Sequence, residues 1–160
     1  MPGRIRATDE QMKETNGLRP VDVPVRVRYA ETDAMGFVYH TNYLIWFEVG
    51  RAEYMRARGI PYSELEKIGV FLPLVECGCR FRRPGRYDDL LTVRTTVTHL
   101  NRVKLAFGYQ ILRAEDGQLL ADGFTVHAFT DREGRPARLK ASSEVWQRIA
   151  GGVELGIATG

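Results

Sequence analysis

This chain of 160 residues has little of what sulfur, metal or membrane chemistry would need. It holds two cysteines, Cys77 and Cys79, one residue apart in a stretch that alternates like a strand. Cysteines so spaced point to one face of a strand and seldom form a good disulfide. Both are therefore expected as buried small residues. Three scattered histidines, His40, His99 and His127, lack zinc-type spacing, and no metal is expected. His99 and His127 lie in alternating segments and read as hydrogen-bonded sheet residues. No run approaches the roughly twenty apolar residues of a membrane span, and residues 1–20 lack the apolar stretch of a secretory signal. A cytoplasmic protein is expected. Charge of one sign is also scarce: 23 Lys and Arg against 20 Asp and Glu leave +3. That is short of the basic stripe that nucleic-acid binding requires. Finally, there is no Gly-x-Ser-x-Gly elbow to announce a serine nucleophile.

What is present is an ordinary globular composition, 44% apolar and 27% charged, of one-domain length. Residues 1–20 read as a flexible leader, 21–150 as the domain, and 151–160 as a Gly-rich tail. Val23, Val25, Val27 and Tyr29 alternate with polar residues or proline, as in a half-buried strand. Over residues 42–58 the spacing changes to three and four: Tyr43, Trp46, Phe47, Gly50, Tyr54 and Ala57 define one helical face. Thr41 or Asn42 can cap it, and Gly59-Ile60-Pro61 stops it. A shorter helix follows, with Ser63 and Glu66 at capping-box spacing. Four strands are then expected around Val75–Phe81, Leu91–Val97, Leu105–Ile111 and Phe124–Ala128. Asp116-Gly117 supplies a hairpin turn, and a last helix runs over residues 142–149. The order predicts an α+β domain, a curved antiparallel sheet with one face buried by one long helix.

The chemical information is densest between the first strand and that helix, from Arg28 to Tyr43. A carboxylate, Asp33, a turn glycine, Gly36, and a helix start follow one another there. The first free amides of a helix carry partial positive charge and bind oxyanions. Thioester hydrolysis needs a group that attacks the acyl carbon or activates water, and donors for the oxygen that becomes negative. Asp33 beside a helix N-terminus supplies both. Asp33 is also what a turn or cap requires, and local chemistry leaves both roles open.

The stretch Arg28-Tyr29-Ala30-Glu31-Thr32-Asp33-Ala34-Met35-Gly36-Phe37-Val38-Tyr39-His40-Thr41-Asn42-Tyr43, continued through Leu44-Ile45-Trp46-Phe47-Glu48 and Arg51, resembles the signature of the 4-hydroxybenzoyl-CoA thioesterase family. That family includes the short-chain acyl-CoA thioesterases associated with Tol-Pal, and the resemblance runs from about residue 23 to 132. It implies a hotdog fold, the sheet wrapped around the central helix, and an acyl-CoA thioesterase. Asp33 would be its catalytic carboxylate, as nucleophile or general base, and the backbone amide at His40 would polarise the carbonyl. It implies no cofactor, coenzyme A being part of the substrate, and a homodimer or homotetramer with active sites between subunits. Some relatives carry tyrosine where this chain has His40.

Further residues are candidates for substrate binding. Tyr43 can line an acyl pocket or simply fill the core; Glu48 can be a second acid in the pocket or a partner of Arg51 or Arg28. Arg102, Lys104, Arg132 and Arg135 fall near strand ends and can hold the phosphates of coenzyme A or remain solvated turn charges. Aromatic and short aliphatic acyl groups both fit this reading. Two alternatives share the ligand: an enoyl-thioester hydratase or dehydratase on the same fold, and a non-catalytic acyl-CoA-binding protein. The former typically pairs an Asp with a His about five residues on, whereas Asp33 and His40 are seven apart.

Overall fold

The alternation of Val21, Val23 and Val25 with Asp22, Pro24 and Arg26 becomes β1 (Val21–Arg26) in the computed structural model, which describes residues 19–140 and 143–150. The expected leader and tail, and Ser142 at the expected start of the last helix, lie mostly or wholly outside the described residues. The other elements are α1 (Thr41–Ala57), α2 (Tyr62–Lys67), β2 (Leu74–Phe81), β3 (Leu90–Leu100), β4 (Lys104–Arg113), β5 (Leu119–Ala128) and α3 (Glu144–Ala150). All strand pairs are antiparallel, in the order β1-β3-β4-β5-β2, so β1 and β2 are the edges. This is the curved sheet and central helix of the hotdog arrangement.

Three local expectations are corrected. Strand one stops at Arg26, not Tyr29, because a 3-10 turn over Tyr29–Glu31 intervenes and leaves Tyr29 78% exposed. Neither Thr41 nor Asn42 caps α1: its N-cap is His40, without a side-chain cap, and the Asn42 amide reaches back to the Glu31 carbonyl at 2.9 Å. Ser63 and Glu66 form no capping box, since α2 already begins at Tyr62 behind Pro61, whose preset φ of −56° suits a helix entrance.

The buried face of α1 carries Tyr43, Trp46, Phe47, Gly50, Tyr54 and Met55. Phe47 stacks on Tyr109 of β4 with ring centres 4.3 Å apart. Fully buried side chains of this size each contribute roughly 1.5–3 kcal/mol through desolvation. Gly50 sets how closely α1 lies on β3, because a Cβ there would collide with Thr95 and Val93. Under this helix runs a buried polar chain. Nδ1 of His127 lies 3.1 Å from the Leu72 carbonyl, Nε2 lies 2.9 Å from the Thr125 hydroxyl, and that oxygen is 2.6 Å from the Tyr109 hydroxyl. A carbonyl only accepts, so Nδ1 carries the proton and Nε2 of the neutral ring accepts from Thr125.

Burial pushes the His127 imidazole down to about 4; the Leu72 carbonyl opposes this and the nearby Arg51 charge adds to it. The unfolded chain binds this proton near pH 6.5 and the folded chain only near pH 4. Stability is therefore fully present above 6.5 and lost as pH falls towards 4. His127 is 1% exposed, and the shift corresponds to about 3 kcal/mol. Urea denaturation at pH 7 and pH 4 should show this loss in the wild type and a clearly smaller one in His127→Gln; equal losses would sink the assignment.

Candidate active site

Asp33 sits in a tight turn of its own making. Its Oδ1 accepts the amides of Met35 at 2.9 Å and Phe37 at 3.1 Å, while its own amide donates to the Phe37 carbonyl at 2.7 Å. Gly36, at φ +78°, closes that turn in a conformation that favours glycine. Oδ2 accepts no hydrogen bond from any described residue. One oxygen of the carboxylate thus serves the turn while the other stays unengaged.

The turn is fastened to the start of α1 through buried Glu31. Its Oε1 accepts the Arg28 amide at 2.8 Å, and its carbonyl accepts both the Tyr39 amide at 2.8 Å and the Asn42 side chain. That leaves the His40 and Thr41 amides, at the positive end of a helix of 17 residues, with no acceptor among the described residues. The His40 imidazole packs beside the Tyr39 ring, centroids 4.5 Å apart, with the Phe81 ring edge-on at 6.4 Å.

Asp33 and His40 line one cavity of about 340 Å³, together with Met35, Phe37, Val38, Tyr43 and the segment Phe81-Arg82-Arg83-Pro84. Tyr43 is buried in the core and also lines this cavity. Its ring lies 5.3 Å from that of Phe81, and its hydroxyl accepts the Gly85 amide at 3.3 Å. Burial raises the Tyr43 phenol, so it stays protonated. The 82–86 loop is held firmly over the site: the Val38 amide donates to the Gly85 carbonyl, and the Arg82 and Arg83 amides share the Leu120 carbonyl. Gly85 is needed there, since a Cβ would press on Val38 and Tyr43 at 3.0 and 3.3 Å. Arg82 is tied by Nε and Nη2 to the two oxygens of buried Asp122, at 3.3 and 3.0 Å.

Other candidates are placed elsewhere within one subunit. Glu48 is on the outward face of α1 beside exposed Leu44, Ile45 and Val49. Arg28 pairs with Glu31, and Arg51 turns inward to Tyr62 and Tyr109, so Glu48 pairs with neither. Lys104 stands opposite Ala128, whereas Phe81 of the cavity stands opposite Ala121. Seven residues of β5 separate those points, roughly 23 Å at strand rise. Arg102 is in the loop before Lys104, at the same far end. Arg135 is paired with Asp131 and Glu133, and Arg132 lies over the Phe71 ring.

The cysteine expectation fails at Cys77, which is exposed, and Cys79 is only partly covered. Both face the side of the sheet on which α1 lies, opposite Thr125 and Gly123, but β2 is an edge strand that α1 does not reach across. Cys79 is nevertheless covered enough for desolvation to push its thiol up to about 12. What the sequence alone does not mark as part of the site is the 82–86 loop, where Pro84-Gly85 turns the chain, and the Glu31–Asn42 clamp. Two adjacent arginines before that turn were the available signal.

The family model of the thioesterase-like superfamily matches residues 27–149. The chain is similar to the YneP protein of Bacillus subtilis, 37% identical over 123 residues, covering 76% of this chain and 88% of that protein. It is similar to the acyl-CoA thioester hydrolase YbgC of Escherichia coli, 33% identical over 93 residues, covering 58% and 69%. Among solved structures, a DHNA-CoA thioesterase from Staphylococcus aureus superimposes with a TM-score of 0.76 at 30% identity, covering 82% and 89%. No helix among the described residues is long and apolar enough to cross a membrane.

Proposed function

Because this chain belongs to the thioesterase-like superfamily and is a hotdog-fold thioester hydrolase, we propose that its substrate is an acyl-CoA and that Asp33 and the His40 amide carry the reaction. One observation supports this most: the unengaged Oδ2 of Asp33 and the free amide of His40 meet at one cavity. Oδ2 attacks the acyl carbon, or takes a proton from the water that does so. The carbonyl oxygen becomes negative opposite the His40 and Thr41 amides, whose dipoles are already oriented towards it. The C–S bond then breaks and coenzyme A leaves as a thiolate, so no strong acid is needed. Water supplies the oxygen of the released acid. Tyr43 and Phe81 form the cavity wall along the acyl thioester.

The active unit in this reading is a homodimer or a homotetramer. β2 has one side unpaired, with Leu74, Val75 and Phe81 about half exposed along it, and α1 exposes Leu44, Ile45 and Val49. Free strand edges and contiguous apolar surface both favour association. A second subunit on this side would meet Glu48 on α1, and only a second subunit would bring Arg102 and Lys104 near the cavity. Light scattering at micromolar concentration should give a dimer or tetramer mass; a monomer would remove this part of the reading.

The activity itself is tested by thiol release from a panel of aromatic and short aliphatic acyl-CoA thioesters. Turnover of at least one member that Asp33→Asn abolishes is expected. No turnover across the panel, with acyl-CoA binding intact, would leave a binding protein; hydration of an enoyl-CoA member without thiol release would make it a hydratase.

A further inference from the structure

Four arginines, Arg80, Arg82, Arg83 and Arg86, fall within seven residues at the end of β2 and the loop after it. Resting on the acyl-CoA reading above, we propose that Arg83 and Arg86 of this loop bind the phosphates of the coenzyme A nucleotide. The loop divides its charges by task. Arg82 is committed to Asp122 and fixes the loop to β5. Arg83 lines the cavity with Asp33, is exposed, and makes no side-chain hydrogen bond or ion pair with a described residue. Arg86 is exposed too. Its guanidinium lies 4.9 Å from the centre of the Phe37 ring, which lines the same cavity, and no described carboxylate pairs with it.

Several arginines away from this rim are neutralised: Arg94 by Asp22, Arg113 by Asp89 and Asp116, Arg135 by Asp131, Arg148 by Glu144. Against the two unneutralised guanidiniums the cavity lining offers one carboxylate, Asp33. An anion therefore has two planar donor forks at the rim, suited to paired phosphate oxygens. Their mounting is ordered before any ligand arrives. The Val38 amide donates to the Gly85 carbonyl, the Arg86 amide donates to Asp89 at 3.0 Å, and the Asp88 amide donates to the Val27 carbonyl at 3.0 Å. Such preorganisation lowers the entropy cost of binding. With the thioester carbon at Asp33 and His40, the anionic part of an acyl-CoA is the nucleotide, which leads out of the cavity past the rim.

The test compares one acyl group on coenzyme A and on N-acetylcysteamine, a thiol without phosphates. In Arg83→Gln the ratio of kcat/KM on coenzyme A to that on N-acetylcysteamine should fall about tenfold or more, the scale of a charged hydrogen bond. The fall should come through KM and deepen in the Arg83→Gln, Arg86→Gln double variant. Calorimetry with free coenzyme A should show weaker binding in the same order, a readout independent of turnover. Wild-type turnover with an unchanged ratio and unchanged coenzyme A affinity would overturn the phosphate site while sparing the thioesterase reading. A fall in kcat that is equal on both carriers would place Arg83 at the reacting atoms instead. A loss confined to acyl groups bearing a carboxylate would make the pair a reader of the acyl group. Absence of all wild-type turnover would sink the activity reading, and the calorimetry would still decide the site.

Discussion

Asp33→Asn is expected to lower thioester turnover by at least ~10²-fold, the scale on which a positioned acid-base group contributes, with melting temperature and oligomeric state unchanged. The geometry makes this substitution unusually clean. Asparagine keeps a carbonyl oxygen where Oδ1 accepts the Met35 and Phe37 amides, so the turn survives. What it replaces is Oδ2, the oxygen with no partner, by an amide nitrogen that can neither attack carbon nor accept a proton from water. Asp33→Ala should lose activity too, but it also strips both turn amides of their acceptor, at about 1 kcal/mol per hydrogen bond. A folded Asp33→Asn protein with wild-type turnover would remove Asp33 from the reaction and reduce it to a turn residue.

His40→Pro is expected to cost ~10²–10³-fold in kcat, the usual loss for one oxyanion donor, whereas His40→Phe or His40→Tyr should cost little. Proline deletes the amide, and the backbone is already set for it: His40 has φ −57°, close to the value that the proline ring imposes. The residue before proline is restricted as well, so circular dichroism and a thermal melt must accompany the assay on account of Tyr39. In His40→Phe the amide remains and a ring of similar shape can still pack against Tyr39 and Phe81. A folded His40→Phe enzyme slowed a thousandfold, with loss of a pH dependence near ~6.5, would instead assign the step to the imidazole.

The elements themselves were largely legible from local pattern. The three- and four-residue spacing of Tyr43, Trp46, Phe47, Gly50 and Tyr54 located α1 to within one residue at each end, and Gly59, at φ +78°, ended it. Period-two alternation located β3 and β4 because α1 packs on one face of each, and it found only the second half of β5, where the alternating Phe124, Val126 and Ala128 lie on the opposite face. The same rule misjudged Cys77, because alternation tells which face a side chain takes and not whether anything covers that face.

The site divides in the same way. Asp33, Gly36 and the helix start lie within ten residues, so their order alone places a carboxylate, a turn and free helix amides close together. That Oδ1 is spent on the turn and Oδ2 is free follows from backbone geometry, as does the Glu31–Asn42 clamp. The 82–86 loop reaches Asp33 only because β2 pairs with β5 at the sheet edge and Leu120 and Asp122 hold Arg82 there. Lys104 is carried to the opposite end by the same ladder. Contacts between residues fifty positions apart are set by strand order and register, which no local periodicity encodes. By itself, then, the sequence determined most of the elements and the candidate pair Asp33 and His40, and tertiary structure decided which arginines stand beside them.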